Sequence, residues 1–207
     1  RTRYGVGLDW PISYADLEPY YAEAEAIMNI SGDPRMAGLF PRSTPFPQPP
    51  HRGSAIDDVM QVAYPEHHVI MPTGRARLAT RGRKACRAEN TCDLCPEDAV
   101  FSVHNGMMHV YSDPRVSVLP RATVTQLQTG SGSITDVIYE HGGHAHSASA
   151  DLFVLGANGI MSPHILMKSN ITNAVTGRGL HEQVGLTLEV LLDGKDNFDG
   201  STFTTGL

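Results

Sequence analysis

Residues 123–159 read TVTQLQTGSGSITDVIYEHGGHAHSASADLFVLGANG, and this stretch decides the fold class. Thr123 to Gln128, Ile134 to Glu140 and His144 to Ser149 have the length of short strands. Gly130-Ser131-Gly132 and Gly142-Gly143 separate them, and such residues suit the backbone of tight hairpin turns. The pattern predicts an antiparallel meander. Val116 to Leu119 reads as a further strand before it. Leu152-Phe153-Val154-Leu155 reads as a continuous apolar strand after it.

That last strand runs into Gly156-Ala157-Asn158-Gly159, then Ser162-Pro163 and an apolar helix through Ile165, Leu166 and Met167. A strand, a small-residue turn and a helix start create a backbone surface that a phosphate or flavin could approach closely. Many αβ proteins turn this way for packing alone, and no intact G-x-G-x-x-G fingerprint occurs in the chain. Toward the N-terminus the pattern is helical. Ser13 with Asp16 resembles a capping box, and Pro19 suits the first turn of a helix through Tyr20, Ala24 and Met28. Residues 31–53 carry Pro34, Pro41, Pro45, Pro47, Pro49 and Pro50, which predicts a long covering loop. A second helix is expected from Ser54 as N-cap, with Ile56, Val59, Met60 and Ala63 on one face. Helices followed by a meander give an α+β fold.

Between these regions lie the three cysteines of the chain, set as Cys86-x5-Cys92-x2-Cys95-Pro96. Soft thiolates on a tight loop closed by Cys-Pro suit an iron–sulfur centre. Three ligands would suit a three-iron cluster or leave one coordination position open. Two other readings stand beside it: a disulfide between two of the three thiols, and a zinc site completed by a histidine such as His104. Basic residues between Arg75 and Arg87 flank the loop, where cations could offset the charge of thiolates and sulfides.

Composition narrows the function classes. The chain has 207 residues, 41% of them hydrophobic, enough for one sizeable domain or two small ones. A formal net charge of −6 argues against a nucleic-acid surface, which needs clustered Lys and Arg. No apolar run approaches the length of a membrane span. His141, His144 and His146 straddle a turn and read as solvated hairpin histidines more readily than as a metal pair. His67 and His68 are adjacent, so they face opposite sides of an extended chain.

Taken in order, three segments resemble the glucose–methanol–choline (GMC) flavin oxidoreductases, in the bacterial sugar- and alcohol-dehydrogenase branch that has a cysteine-rich loop. Asp9-Trp10-Pro11-Ile12-Ser13-Tyr14-Ala15-Asp16-Leu17-Glu18-Pro19-Tyr20-Tyr21 is similar to the family's W-P-x-x-Y-x-x-L-x-P-Y-Y segment. Arg83 to Val100 is similar to the cysteine loop of that branch. Ala157 to Ser169, with Gly177-Arg178-Gly179-Leu180 and Val184-Gly185 downstream, resembles the second family signature. Three departures accompany the likeness. Gly156-Ala157-Asn158-Gly159 replaces the usual Ala-Ala-Gly-Ala, Leu186 to Val190 replaces a common Asp-His, and the second cysteine gap is one residue shorter.

The resemblance implies a part of a GMC-type FAD-binding fold, and an internal portion of a longer protein that is inactive by itself. Residues 1–72 would form a helical and Pro-rich covering segment bordering the substrate domain, and 73–115 the cysteine loop. Residues 116–185 would supply the meander and strand-turn-helix of the flavin domain, and 186–207 the start of the substrate-domain sheet. The parent would oxidise CH–OH groups of a sugar or alcohol by hydride transfer to FAD. Electrons would pass through a cluster held by Cys86, Cys92 and Cys95 to a cytochrome or small subunit. Val124 would lie beside the adenine, and Gly156, Ala157 and Asn158 would approach the ADP half of the flavin. None of the histidines matches a catalytic position of the family, so no catalytic residue is assigned. The alternatives are a metal-binding or electron-transfer module without oxidase chemistry, and a non-catalytic truncated relative.

Overall fold

A computed structural model describes residues 5, 9–88, 94–180, 182–188, 191, 193–194 and 205–206. The chain divides into two compact units, one built on Ser117–Leu188 and the other on Asp9–Val116 with part of the C-terminal stretch. The elements are α-helices and a three-stranded antiparallel sheet, a mixed α+β content as expected.

In the unit built on Asp9–Val116, helix α1 spans Tyr14–Met28 and begins on the anticipated capping box, Ser13 with Asp16. Asp16 accepts from the Ser13 N–H (2.8 Å) and hydroxyl (2.7 Å), and these bonds hold its pKa below the usual carboxylate value. Pro19 stands inside the helix and not in its first turn, because the helix starts five residues before it. Proline lacks the N–H that would bond back one turn, so this position weakens the helix from within. Helix α1 has no buried residue and is held by its edges. Glu18 accepts from the Ser43 N–H (2.7 Å), Tyr14 donates to the Pro41 carbonyl (2.9 Å), and Glu25 pairs with Arg42. These contacts clasp the Pro-rich loop onto the helix. Within that loop a short 3₁₀ turn, Pro34–Gly38, buries Met36, and the Arg42 guanidinium lies 3.5 Å above the Phe46 ring.

The centre of this unit is polar. Ser31 is fully buried and exchanges backbone bonds with Thr73, while its hydroxyl donates to the Arg75 carbonyl at 2.8 Å. Buried Gln48 accepts from the Arg77 and Leu78 N–H groups at 2.7 and 2.9 Å. Such side chain-to-backbone bonds replace a sheet ladder and satisfy groups that burial would otherwise penalise. The apolar part of the core is Ile30, Met36, Val69, Ala76 and Ala99.

Helix α2 spans Ala55–Ala63 and starts on Ser54 with Asp57 in a second capping box. Its most buried residue is Asp57, whereas Val59 of the predicted apolar face is 48% exposed. Asp57 answers the buried His68 just before strand β1, Val69–Ile70, at 3.2 Å. Strand β1 pairs with Thr205–Gly206, Val69 opposite Gly206. Two short helices, α3 (Val103–Gly106) and α4 (Met108–Tyr111), close the unit.

In the unit built on Ser117–Leu188, strands β2 (Thr123–Gly130), β3 (Ser133–His141) and β4 (His144–Ser149) form the predicted meander in order β2-β3-β4. Both turns carry two successive left-handed residues, Ser131 with Gly132 and Gly142 with Gly143, the backbone that matches strand twist in two-residue hairpins. A bulge at Thr125 gives the register: Val124 faces Tyr139, whereas Gln126 faces Ile138 and Leu127 faces Val137. The extra residue puts Val124 and Leu127 on one sheet face although they are three positions apart.

Helix α5, Asn158–Lys168, packs on β2 and buries Ile165 beside an equally buried Leu127. Ser169 locks the contact. Its hydroxyl accepts from the Leu127 N–H at 2.8 Å and donates to the Ile165 carbonyl at 2.6 Å.

Two expected strands are not strands. Val116 to Leu119 lies between Pro114 and Pro120, which lack ladder donors, and Val118 and Leu119 are about half exposed. Leu152 to Leu155 runs without a ladder partner among the described residues, and Leu152 and Val154 are 78% and 87% exposed. Apolar composition alone secures neither burial nor a hydrogen-bonding neighbour here.

Candidate functional site

The cysteine loop is built from two arms that meet over a central segment. Ala76 receives a bond from the Cys86 N–H (2.8 Å) on one side and donates to the Ala99 carbonyl (2.8 Å) on the other. Lys84 N–H reaches the Glu97 carbonyl at 3.3 Å, and Phe101 N–H the Gly74 carbonyl at 2.8 Å. Gly82 permits this path. It sits at φ +84°, and a Cβ there would lie 2.5 Å from the Asn105 carbonyl oxygen. Arg83 anchors the first arm from beneath, donating to the Met28 carbonyl at the end of α1 (2.8 Å) and to the Gly74 carbonyl (2.7 Å). Burial pulls its pKa below the usual guanidinium value, opposed by the charge of Asp98.

Both described sulfurs are oriented by backbone amides. Ala88, held at a left-handed φ of 60°, gives its N–H to Cys86 Sγ at 3.4 Å. Asp98, at φ 49°, closes a turn onto the Cys95 carbonyl, and the Ala99 N–H then reaches Cys95 Sγ at 3.5 Å. Hydrogen bonds to the sulfurs tune a thiolate-held centre. Cys86 and Cys95 are free thiols and half-buried, so no disulfide joins them. Cys92 lies outside the described residues. Among the described residues no three His, Cys, Asp or Glu side chains converge on one point. His104 is exposed on α3 and does not converge with Cys86 and Cys95; the expected zinc site, in which a histidine completes the three cysteines, includes Cys92 and so lies partly outside the described residues. Cys86 and Cys95 are soft donors of the kind a thiolate-held metal uses.

The second candidate lies in the unit built on Ser117–Leu188. Gly156, Ala157 and Asn158 form the turn into α5, and a Cβ on Gly156 would meet nothing within 4 Å. That open backbone fits close approach by a ligand. Asn158 takes a left-handed φ of 66°, and its Oδ1 accepts from the Ile160 and Met161 N–H groups at 2.9 and 3.0 Å. These two helix-start donors are therefore used by the chain itself. Val124 is 37% exposed on β2. Beside them, a cleft of about 460 Å³ lies between one face of α5 (Gly159, Ile160, Pro163, Met167) and the Gly177-to-Leu180 segment. Gly177 at φ +72° abuts Met167 there, so the sequence segment quoted for its glycines forms the wall of a cleft.

Among the described residues the hairpin histidines do not form a metal site, and His164 is a further wall residue of the cleft beside α5. The His141 and His146 rings meet edge-on at 6.3 Å, and His146 stacks on Tyr139 at 5.4 Å. His67 is exposed and His68 buried, as adjacency predicts. Ser54, Asp57 and His68 resemble a catalytic triad by name only. The serine bonds to the aspartate and caps α2, and the histidine bonds to the other carboxylate oxygen. Sequence reasoning passed over Glu97, which bridges Lys84 (3.3 Å) and Arg87 (3.1 Å) across the cysteine arms. Its only signal was a carboxylate two positions past Cys95 opposite a basic run. Among the described residues no helix is long and apolar enough to cross a membrane.

No protein-family model matches the chain. It is 29% identical over 176 residues to the fructose dehydrogenase large subunit of Gluconobacter japonicus, covering 80% of this chain and 32% of that protein. It is 27% identical over 189 residues to a 6'''-hydroxyparomomycin C oxidase of Streptomyces lividus, 87% of this chain and 34% of that one. It is 28% identical over 184 residues to a 2-methyl-1,2-propanediol dehydrogenase of Mycolicibacterium austroafricanum, 81% of this chain and 32% of that one. The chain spans about a third of the length of these curated relatives. All three are named as oxidoreductases, and each is matched along most of this chain.

Proposed function

We propose that these residues belong to an FAD-dependent oxidoreductase of the glucose–methanol–choline type, acting on CH–OH groups of a sugar or alcohol. The observation that carries the reading is the likeness, over 80% or more of the chain, to three proteins named as dehydrogenases or an oxidase. FAD, when bound, would supply the hydride acceptor. In this reading the open turn at Gly156 and Ala157 lets the cofactor's polar half approach the backbone, and Val124 offers an apolar side chain to its base. Asn158 fixes the start of α5 through its Oδ1. Cys86, Cys92 and Cys95 would hold an iron–sulfur centre, with the Ala88 and Ala99 amides setting sulfur orientation. The name of the first relative, a large subunit, supports a further subunit as a partner; a cytochrome as electron acceptor belongs to the reading of the cysteines as a relay.

The test uses the complete polypeptide that contains these residues. Loaded with FAD, it should reduce an artificial dye in the presence of a sugar or polyol. Cys86→Ser should abolish transfer to a cytochrome while leaving dye reduction by the flavin. A complete protein that binds no flavin and reduces no dye with any sugar or alcohol refutes the reading.

A further inference from the structure

We propose that Glu97 is a positioning residue for the cysteine pair, fastening the arm that bears Cys86 to the arm that bears Cys95. The inference rests on the reading of these cysteines as ligands of a soft metal centre. The two cations that Glu97 meets bracket Cys86 in sequence, and Glu97 itself follows Cys95 by two positions. Each carboxylate oxygen serves one cation: Oε2 lies 3.3 Å from Lys84 Nζ and Oε1 lies 3.1 Å from Arg87 Nε. The backbone adds one bond between the same arms, from the Lys84 N–H to the Glu97 carbonyl at 3.3 Å.

An ordinary surface ion pair would contribute little, because both partners are solvated and mobile. Here the burial is one-sided. The Glu97 side chain is 10% exposed, while Lys84 and Arg87 are 74% and 65% exposed. The carboxylate is thus a fixed point to which two flexible cations are drawn. Lys84 and Arg87 are mostly exposed, so their charges stay hydrated when the carboxylate is removed and folding should suffer little. Ligand geometry should suffer more. A metal requires its donors within about 0.2 Å of their ideal distances, and outer partners that orient ligands typically govern affinity by about 10- to 100-fold. A large effect on metal loading with a small effect on stability separates positioning from a merely structural role.

The experiment is an oxygen-free Co²⁺ titration of the complete, reduced protein, reading thiolate-to-cobalt charge-transfer absorbance beside the urea unfolding midpoint. The native protein should show a saturable band that Cys86→Ser and Cys95→Ser each diminish. Glu97→Ala should weaken Co²⁺ binding about tenfold or more at an unchanged midpoint, and Glu97→Gln should fall between them. Native Co²⁺ affinity in Glu97→Ala overturns the positioning role and leaves the thiolate site standing. So does a lowered midpoint that accounts for the lost binding, which would make Glu97 structural. A native protein with no charge-transfer band removes the thiolate site, and this inference with it.

Discussion

Ser169→Ala tests what holds α5 to the sheet. The Ser169 hydroxyl is the acceptor for the Leu127 N–H at 2.8 Å, and the site is buried. The Ile165 carbonyl keeps a partner in the variant, because the Ser169 backbone N–H also reaches it at 3.0 Å. The loss is therefore concentrated on one buried donor left without an acceptor, about 1–3 kcal/mol. That corresponds to a roughly 5- to 150-fold rise in the opened fraction of this unit. Hydrogen exchange of amides in the middle of β3, away from Leu127 itself, should accelerate by that factor under conditions where exchange follows opening. Ser169→Thr keeps the hydroxyl and should recover most of the protection, while Ser147→Ala on the exposed strand β4 should change stability by less than about 0.5 kcal/mol. Native exchange rates in Ser169→Ala would mean that α5 is held by the burial of Leu127 and Ile165 alone, and the reasoning would be wrong.

Gly82→Ala should lower the unfolding free energy of the unit built on Asp9–Val116 by more than about 1 kcal/mol. The new Cβ adds a left-handed backbone cost and lies 2.5 Å from the Asn105 carbonyl, and thermal melts would show it. Asn158→Ala should destabilise α5 by about 1–2 kcal/mol through loss of the cap and of an accessible left-handed conformation, whereas Asn158→Gly should cost less; urea unfolding distinguishes the two. Burial pushes the His51 pKa down, partly offset by its bond to the Arg75 carbonyl and reinforced by the Arg75 and Arg77 charges. A depressed folded-state value means that stability is full above the unfolded value near 6.5 and falls as pH drops below it. His51→Gln should flatten that slope in denaturation curves measured on either side of this pH.

The meander was legible because its turns demand glycine and its strands are short and evenly spaced. The odd spacing from Val124 to Leu127 becomes intelligible only with the Thr125 bulge, which a strict two-residue period does not contain. Leu152 to Leu155 reads as a strand because apolar runs suggest a buried strand, while burial and a hydrogen-bonding neighbour both come from surfaces that no local pattern encodes, and Leu152 and Val154 stay exposed. The polar centre of Ser31, Gln48 and His51 was invisible for a related reason. Its bonds join side chains to distant backbone groups, so hydrophobic patterning carries no trace of it. At the candidate site, cysteine spacing announced thiolate chemistry. The amides aimed at Cys86 and Cys95, the Arg83 anchor and the Glu97 bridge arise from how the arms fold back over Ala76.

The most direct measurement is the cofactor content of the complete protein, purified without air and followed by its visible spectrum before and after acid release. The account predicts a flavin spectrum that bleaches on addition of an oxidisable sugar or alcohol, together with iron and acid-labile sulfide that are lost in Cys95→Ser. A colourless protein that releases no flavin and stays colourless after incubation with FAD would contradict it.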